Sequence, residues 1–164
     1  MAQVEFTVTR RFEVPAVEVW SALVDWPGHA GWIPMTRVEL HDGPARDVPA
    51  AGADRVPVVG EEFTATSGLR RLALIDRMRV TQAPAHTSSK RRVRLEKIGP
   101  VLTGYADLEV SPAGEQASTV VWTEQVRVPV VPQLLAPLVA AGSRIAFGQA
   151  LSGLAKELRR STRS

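Results

Sequence analysis

Near Val131 the hydrophobic period of this chain changes, and it does not change back. Upstream, apolar and polar residues alternate with the period of two that marks half-buried strands. Downstream, from Val131 or Pro132 to about Arg160, apolar residues recur at helical spacing. A long helix that follows a run of strands has to bury its apolar side against the sheet those strands make. A helix of about 24 residues is about 36 Å long, and a strand of about ten residues spans about 33 Å. The helix can therefore lie along a curved sheet and cover its concave face.

The strands are legible one by one. Val4, Phe6, Val8, Phe12 and Val14 alternate with Glu5, Thr7, Thr9, Arg11 and Glu13, while Arg10 falls on the apolar face. Pro15 then opens a short helix, where its missing N–H costs nothing, with Trp20, Leu23 and Val24 at helical spacing. The loop DWPGHAGWIP follows, residues 25–34, in which turn-forming residues carry the two large side chains Trp26 and Trp32. Val38 and Leu40 suggest a short strand, and residues 43–57 hold little that could pack. Strands are expected over 58–66, 71–82 and 88–98, then through Leu102–Val110 and Val120–Val128. Leu72, Leu74, Met78 and Val80 share one face, interrupted by Asp76, and Glu124 interrupts the face of Val120, Trp122, Val126 and Val128. Short turns at Ala83-Pro84-Ala85, Gly99-Pro100 and Pro112-Ala113-Gly114 make the later strands a meander.

The expected architecture is α+β, in one domain over residues 1–164. A curved antiparallel sheet of about seven strands wraps around a long C-terminal helix, with short helices after the first strand. Gly104 and Ala106 are small and would leave room between sheet and helix. In the helix, Leu134, Leu138, Ala141 and Ile145 share one stripe, and Phe147, Leu151, Leu154 and Leu158 share another on nearly the opposite side. That switch predicts a break or a change of packing partner between Ala141 and Gly148.

With this order of elements the chain resembles the START/Bet v 1-like helix-grip superfamily, and within it the polyketide cyclase/dehydrase and lipid-transport group. The residues that carry the resemblance are Phe12-Glu13-Val14-Pro15-Ala16 before Val19-Trp20, then Trp32-Ile33-Pro34. Val59-Gly60-Glu61-Glu62-Phe63, Asp76 with Val80, and Leu154-Ala155-Lys156-Glu157-Leu158 complete it. The resemblance implies a central apolar cavity between sheet and long helix, and neighbouring, antiparallel first and last strands. Trp26 and Trp32 would then cover the cavity or line its entrance.

Other classes are set aside by what the chain lacks. It has no cysteine, which removes disulfides, thiol nucleophiles and cysteine-bound zinc and fits a cytoplasmic address. No run of 18 apolar residues suggests a membrane span. No phosphate-cradling glycine motif and no GxSxG elbow occurs. His29, His41 and His86 lack metal-ligand spacing, and His29 reads as a solvated loop residue. No cofactor and no metal is expected. The basic run Lys90–Arg94 points to both faces of a strand, and the net charge is only +3, so nucleic-acid binding is not expected.

The anomaly is three charges on apolar strand faces, Arg10, Asp76 and Glu124. A buried charge needs a partner, a shifted pKa or access to water. Arg10 and Glu124, on strands the resemblance makes neighbours, are expected to pair. With Trp26 and Trp32 these three are the candidate ligand-binding residues. The expected function is binding of a small hydrophobic molecule, a lipid or an aromatic polyketide-like compound, by a monomer or homodimer. The alternative is a polyketide aromatase/cyclase or dehydratase that moves protons in the same cavity, Arg10 polarising a carbonyl.

Overall fold

The computed structural model describes residues 1–41, 56–68, 73–85 and 89–161. The first strand, β1 (Ala2–Phe12), buries Ala2, Val4, Phe6 and Phe12, keeps Val8 and Arg10 half-buried on the same face, and turns the alternate residues outward. Pro15 ends it and opens α1 (Ala16–Leu23), with its carbonyl accepting the N–H groups of Glu18 and Val19 at 3.1 and 3.2 Å. One turn of helix, α2 (His29–Trp32), leads to β2 (Thr36–Leu40). There follow β3 (Glu62–Ser67), β4 (Leu74–Gln82), β5 (Arg91–Ile98), β6 (Thr103–Gly114) and β7 (Ala117–Val128). A 3-10 turn, Gln133–Leu135, precedes α3 (Ala136–Ser161).

The seven strands form one antiparallel sheet in the order β1-β7-β6-β5-β4-β3-β2. The first and last strands are neighbours, as the resemblance implies, and α3 lies across the sheet. This is the helix-grip architecture expected from the sequence. Residues 43–55 of the loop, together with Leu72 and His86, lie outside the described residues.

The core has two parts. Phe12, Trp20, Leu23, Trp26, Trp32, Phe63, Leu151 and Leu154 belong to the larger one, between the sheet, α1, α2 and the C-terminal half of α3. Ala2, Val4, Phe6, Val126, Ala136 and Ala140 form the smaller one, beneath the N-terminal half of α3. Two glycines set close approaches. A Cβ on Gly153 of α3 would come within 2.5 Å of the Trp32 carbonyl oxygen, so only glycine lets α2 dock there. Gly104, at φ +135°, would bring a Cβ within 2.0 Å of the Gln125 carbonyl oxygen. Gly104 therefore serves the close approach of β6 to β7 and, unlike Ala106, does not line the cavity.

The two halves of the last helix do pack against different parts of the core, as one of the two expected alternatives has it, but the expected switch of the apolar stripe is corrected by the structure. α3 is one continuous helix with one buried face: Ala136, Ala140, Ala150, Leu151, Leu154 and Ala155, with Phe147 half-buried along the same line. Leu134, Leu138 and Ile145 lie on the other side, 80%, 71% and 65% exposed. The cause is that alanine makes the contact in the first half: Ala136 and Ala140 pack beside β1. The larger side chains of Leu134, Leu138 and Ile145 point to the exposed face. Because of them, Gln133–Ser161 contains an 18-residue window of mean hydropathy 1.4, long and apolar enough by composition to cross a membrane. Its buried face instead packs into the core described above.

Candidate functional site

Between the concave face of the sheet and the middle of α3 lies a cavity of about 390 Å³. Inward residues of six strands build its apolar wall, among them Val38, Phe63, Met78, Leu95, Leu108 and Trp122, and α3 closes it with Ala146, Phe147 and Ala150. Trp122 and Phe147 meet edge to face with centroids 4.9 Å apart, which ties the helix to the sheet at the cavity's edge. Ile33, Pro34 and Met35 line it from the segment after α2.

Three charges stand in that wall: Asp76 on β4, Lys97 on β5 and Glu124 on β7. Strand alternation puts them there, since Met78 and Val80, Val93 and Leu95, and Val120 and Trp122 share their faces. Lys97 is the centre of the group, with 3% of its side chain exposed. Its ammonium donates to Asp76 Oδ2 and sits 3.1 Å from Glu124 Oε2. The Met78 sulfur is 3.9 Å from it. The indole of Trp122 donates to Glu124 Oε1 at 3.0 Å. Asp76 Oδ1 is buried and has no hydrogen-bond partner among the described residues.

The electrostatics follow from this geometry. Burial works against the Lys97 ammonium, but Glu124 and Asp76 outweigh it and hold its pKa above the ordinary lysine value. Lys97 is thus a fixed cation and donor rather than a neutral nucleophile. Burial pushes the Glu124 pKa up; Lys97 opposes that push and Asp76 adds to it.

Asp76 and Glu124 therefore stand in the cavity wall, and the structure joins them through a lysine that the sequence reading passed over. The signal was present, because Val93, Leu95 and Lys97 continue one alternation. It was hidden behind the basic run that precedes it. That run lies on the strand as a satisfied surface: Arg92 and Arg94 both hold Asp107, and Lys90 holds Glu109.

The other expectations are corrected. Arg10 does not meet Glu124, because the register of β1 on β7 sets Arg10 opposite Val120 and Phe6 opposite Glu124. Its guanidinium instead donates to Ser152 Oγ on α3 at 2.8 Å, away from the cavity lining. Trp26 is fully buried, stacked on Phe63 with centroids 4.5 Å apart. Trp32 lies beneath Gly153, 5% exposed. Neither indole lines the cavity; both fill the core below it. His29, expected in solvent, is buried between the two, with its Nε2 2.8 Å from the Leu23 carbonyl oxygen, and it does border the cavity. No group of histidine, aspartate and glutamate suited to a metal occurs among the described residues.

A long helix gripped by a curved seven-stranded sheet, with three charges in the wall of an internal cavity, is a helix-grip fold. Residues 3–159 match the family described as polyketide cyclase / dehydrase and lipid transport, and the chain belongs to that family. Among solved structures it is similar to the Zhui aromatase/cyclase from Streptomyces sp. R1128, with a TM-score of 0.70 at 14% identity over 99% of this chain and 97% of that one. A START superfamily protein from Mycobacterium smegmatis gives 0.67 at 13% identity, covering 94% and 98%. A point mutant of norcoclaurine synthase from Thalictrum flavum, in complex with a transition-state analogue, gives 0.58 at 16%, covering 96% and 97%. At these identities the likeness is one of fold. No curated protein matches the sequence.

Proposed function

We propose that this protein binds a small, largely apolar molecule in the cavity between the sheet and α3. The observation that carries the reading is the cavity itself. About 390 Å³, walled by aliphatic and aromatic side chains with a few convergent polar groups, is the usual form of a small-molecule site. Membership of a family that includes lipid carriers and cyclases agrees with it. The test is titration with the neutral fluorophore N-phenyl-1-naphthylamine. Saturable binding is expected in the wild type, with strong loss in Ala106→Phe and Ala146→Trp, which put large side chains at two lining positions, one on β6 and one on α3. Binding that persists in both folded variants would refute the cavity as the site.

The charged cluster favours a second, catalytic reading. A ligand carbonyl that displaces the weak Met78 sulfur contact would be polarised by the Lys97 ammonium, and a carboxylate beside it can take a proton from the adjacent carbon, which is the proton transfer of a cyclase or dehydratase. Lys97 here takes the place expected for Arg10. Proton exchange at the carbon next to the carbonyl of 4-phenyl-2-butanone, followed in D₂O, separates the two readings. Exchange accelerated by the wild type and lost in Asp76→Asn supports catalysis; exchange at the buffer rate leaves a carrier.

A further inference from the structure

The inventory of donors and acceptors at the cavity's polar wall does not balance. The described residues supply one ammonium and two carboxylates. The donors are spoken for: Lys97 faces Asp76, Glu124 and the Met78 sulfur, and the Trp122 N–H is held by Glu124. The open capacity is an acceptor, the second oxygen of Asp76. That oxygen is turned away from water, but the Asp76 side chain is 14% exposed and borders the cavity. A donor on an occupant reaches the carboxylate at Oδ2, which takes a Lys97 N–H and keeps a lone pair, or at Oδ1 after a change of the Asp76 rotamer. The other polar groups of the lining are differently placed. The Thr36 and Ser67 hydroxyls bond each other at 2.8 Å, His29 Nε2 is engaged with the Leu23 carbonyl oxygen, and Gln149 is exposed on α3.

Resting on the cavity reading above, we infer that the molecule held there ends in a hydrogen-bond donor, an amine or a hydroxyl, which Asp76 receives, and that apolar carboxylates are rejected. A hydroxyl would satisfy the open oxygen. An ammonium would also balance the second carboxylate. A ligand carboxylate would bring a third negative charge to a wall whose donors are already engaged, and buried like charges without donors are strongly unfavourable. Burial, with Asp76 beside it, already pushes the Glu124 pKa up against the pull of Lys97.

The test is calorimetric titration with three compounds sharing one apolar body: 4-phenylbutylamine, 4-phenylbutanol and 4-phenylbutyrate. The amine and the alcohol are expected to bind about tenfold or more tighter than the acid, the scale of one hydrogen bond to a charged group. Asp76→Leu should abolish that preference. Asp76→Asn, nearly the same shape, should lower the amine to the level of the alcohol while leaving alcohol binding in place, and it serves where the leucine variant does not fold. Equal affinity for all three compounds, or a preference unchanged in both variants, overturns the inference while the cavity reading stands. Failure of all three to bind overturns both.

Discussion

Lys97→Met is the most informative single substitution. Methionine keeps the volume and the apolar stem but removes the ammonium that joins Asp76 to Glu124. Two carboxylates, 14% and 5% exposed at the side chain, are then left facing each other in a dry wall. Removing one partner of a buried ion pair costs about 3–5 kcal/mol, because the remaining charge has no compensation. For a chain of this length that corresponds to a fall in Tm of roughly 6–20 °C. The loss should shrink on going from pH 7 to pH 5, because protonation relieves the stranded carboxylates. Urea melts of wild type and variant at both pH values measure this. The wild type should also lose the Lys97 contribution only at alkaline pH. The folded pKa of Lys97 lies above its ordinary 10.5, so the stabilisation is whole below 10.5 and is lost as pH rises through the folded value. A loss below about 1 kcal/mol, the range of an exposed pair, and equal at both pH values, would refute the picture of a buried three-charge cluster.

Two further predictions concern the same wall and the helix above it. Burial holds the Glu124 pKa above its ordinary 4.5, so the folded state keeps the proton longer than the unfolded one, and the Glu124 contribution to stability falls as pH rises from 4.5 through the folded value. Glu124→Gln should therefore gain on the wild type as pH rises from about 4.5 toward neutrality; parallel stability curves would contradict that. Leu138→Gln, on the exposed side of α3, should change stability by less than about 0.5 kcal/mol. Leu154→Ala, on the buried side, should cost about 2–5 kcal/mol. Thermal melts that reverse this order would show that the helix is gripped by the face the leucine pattern first suggested.

The particular residues explain how far the sequence could be read. Strand alternation is a local property, so β1, β6 and β7 and the inward placement of Asp76 and Glu124 were legible from period two alone. Partner choice is not local. Arg10 and Glu124 both point inward on adjacent strands, yet the register of β1 on β7 sets them four positions apart, and only that register decides which cation Glu124 meets. Lys97 was readable as an inward residue but was masked by the arginines before it. The helix misled for a different reason: a close contact is made with alanine, so the apolar stripe of α3 and its buried face are not the same set. The loop of residues 25–34 does border the cavity, through His29, Ile33 and Pro34, but turn-residue composition does not show that its tryptophans face the core. α2 docks on Gly153 and carries Trp32 inward.

The most direct measurement is an isotope-filtered NOE experiment on the labelled protein with 4-phenylbutanol. The account places the ligand against the walls built by β4, β5, β6 and α3. Cross-peaks are therefore predicted from the phenyl protons to the methyl groups of Met78, Leu95, Leu108 and Ala150. Cross-peaks confined to Leu138 and Ile145, on the exposed stripe of α3, would place binding on the outside of the helix and contradict the cavity as the functional site.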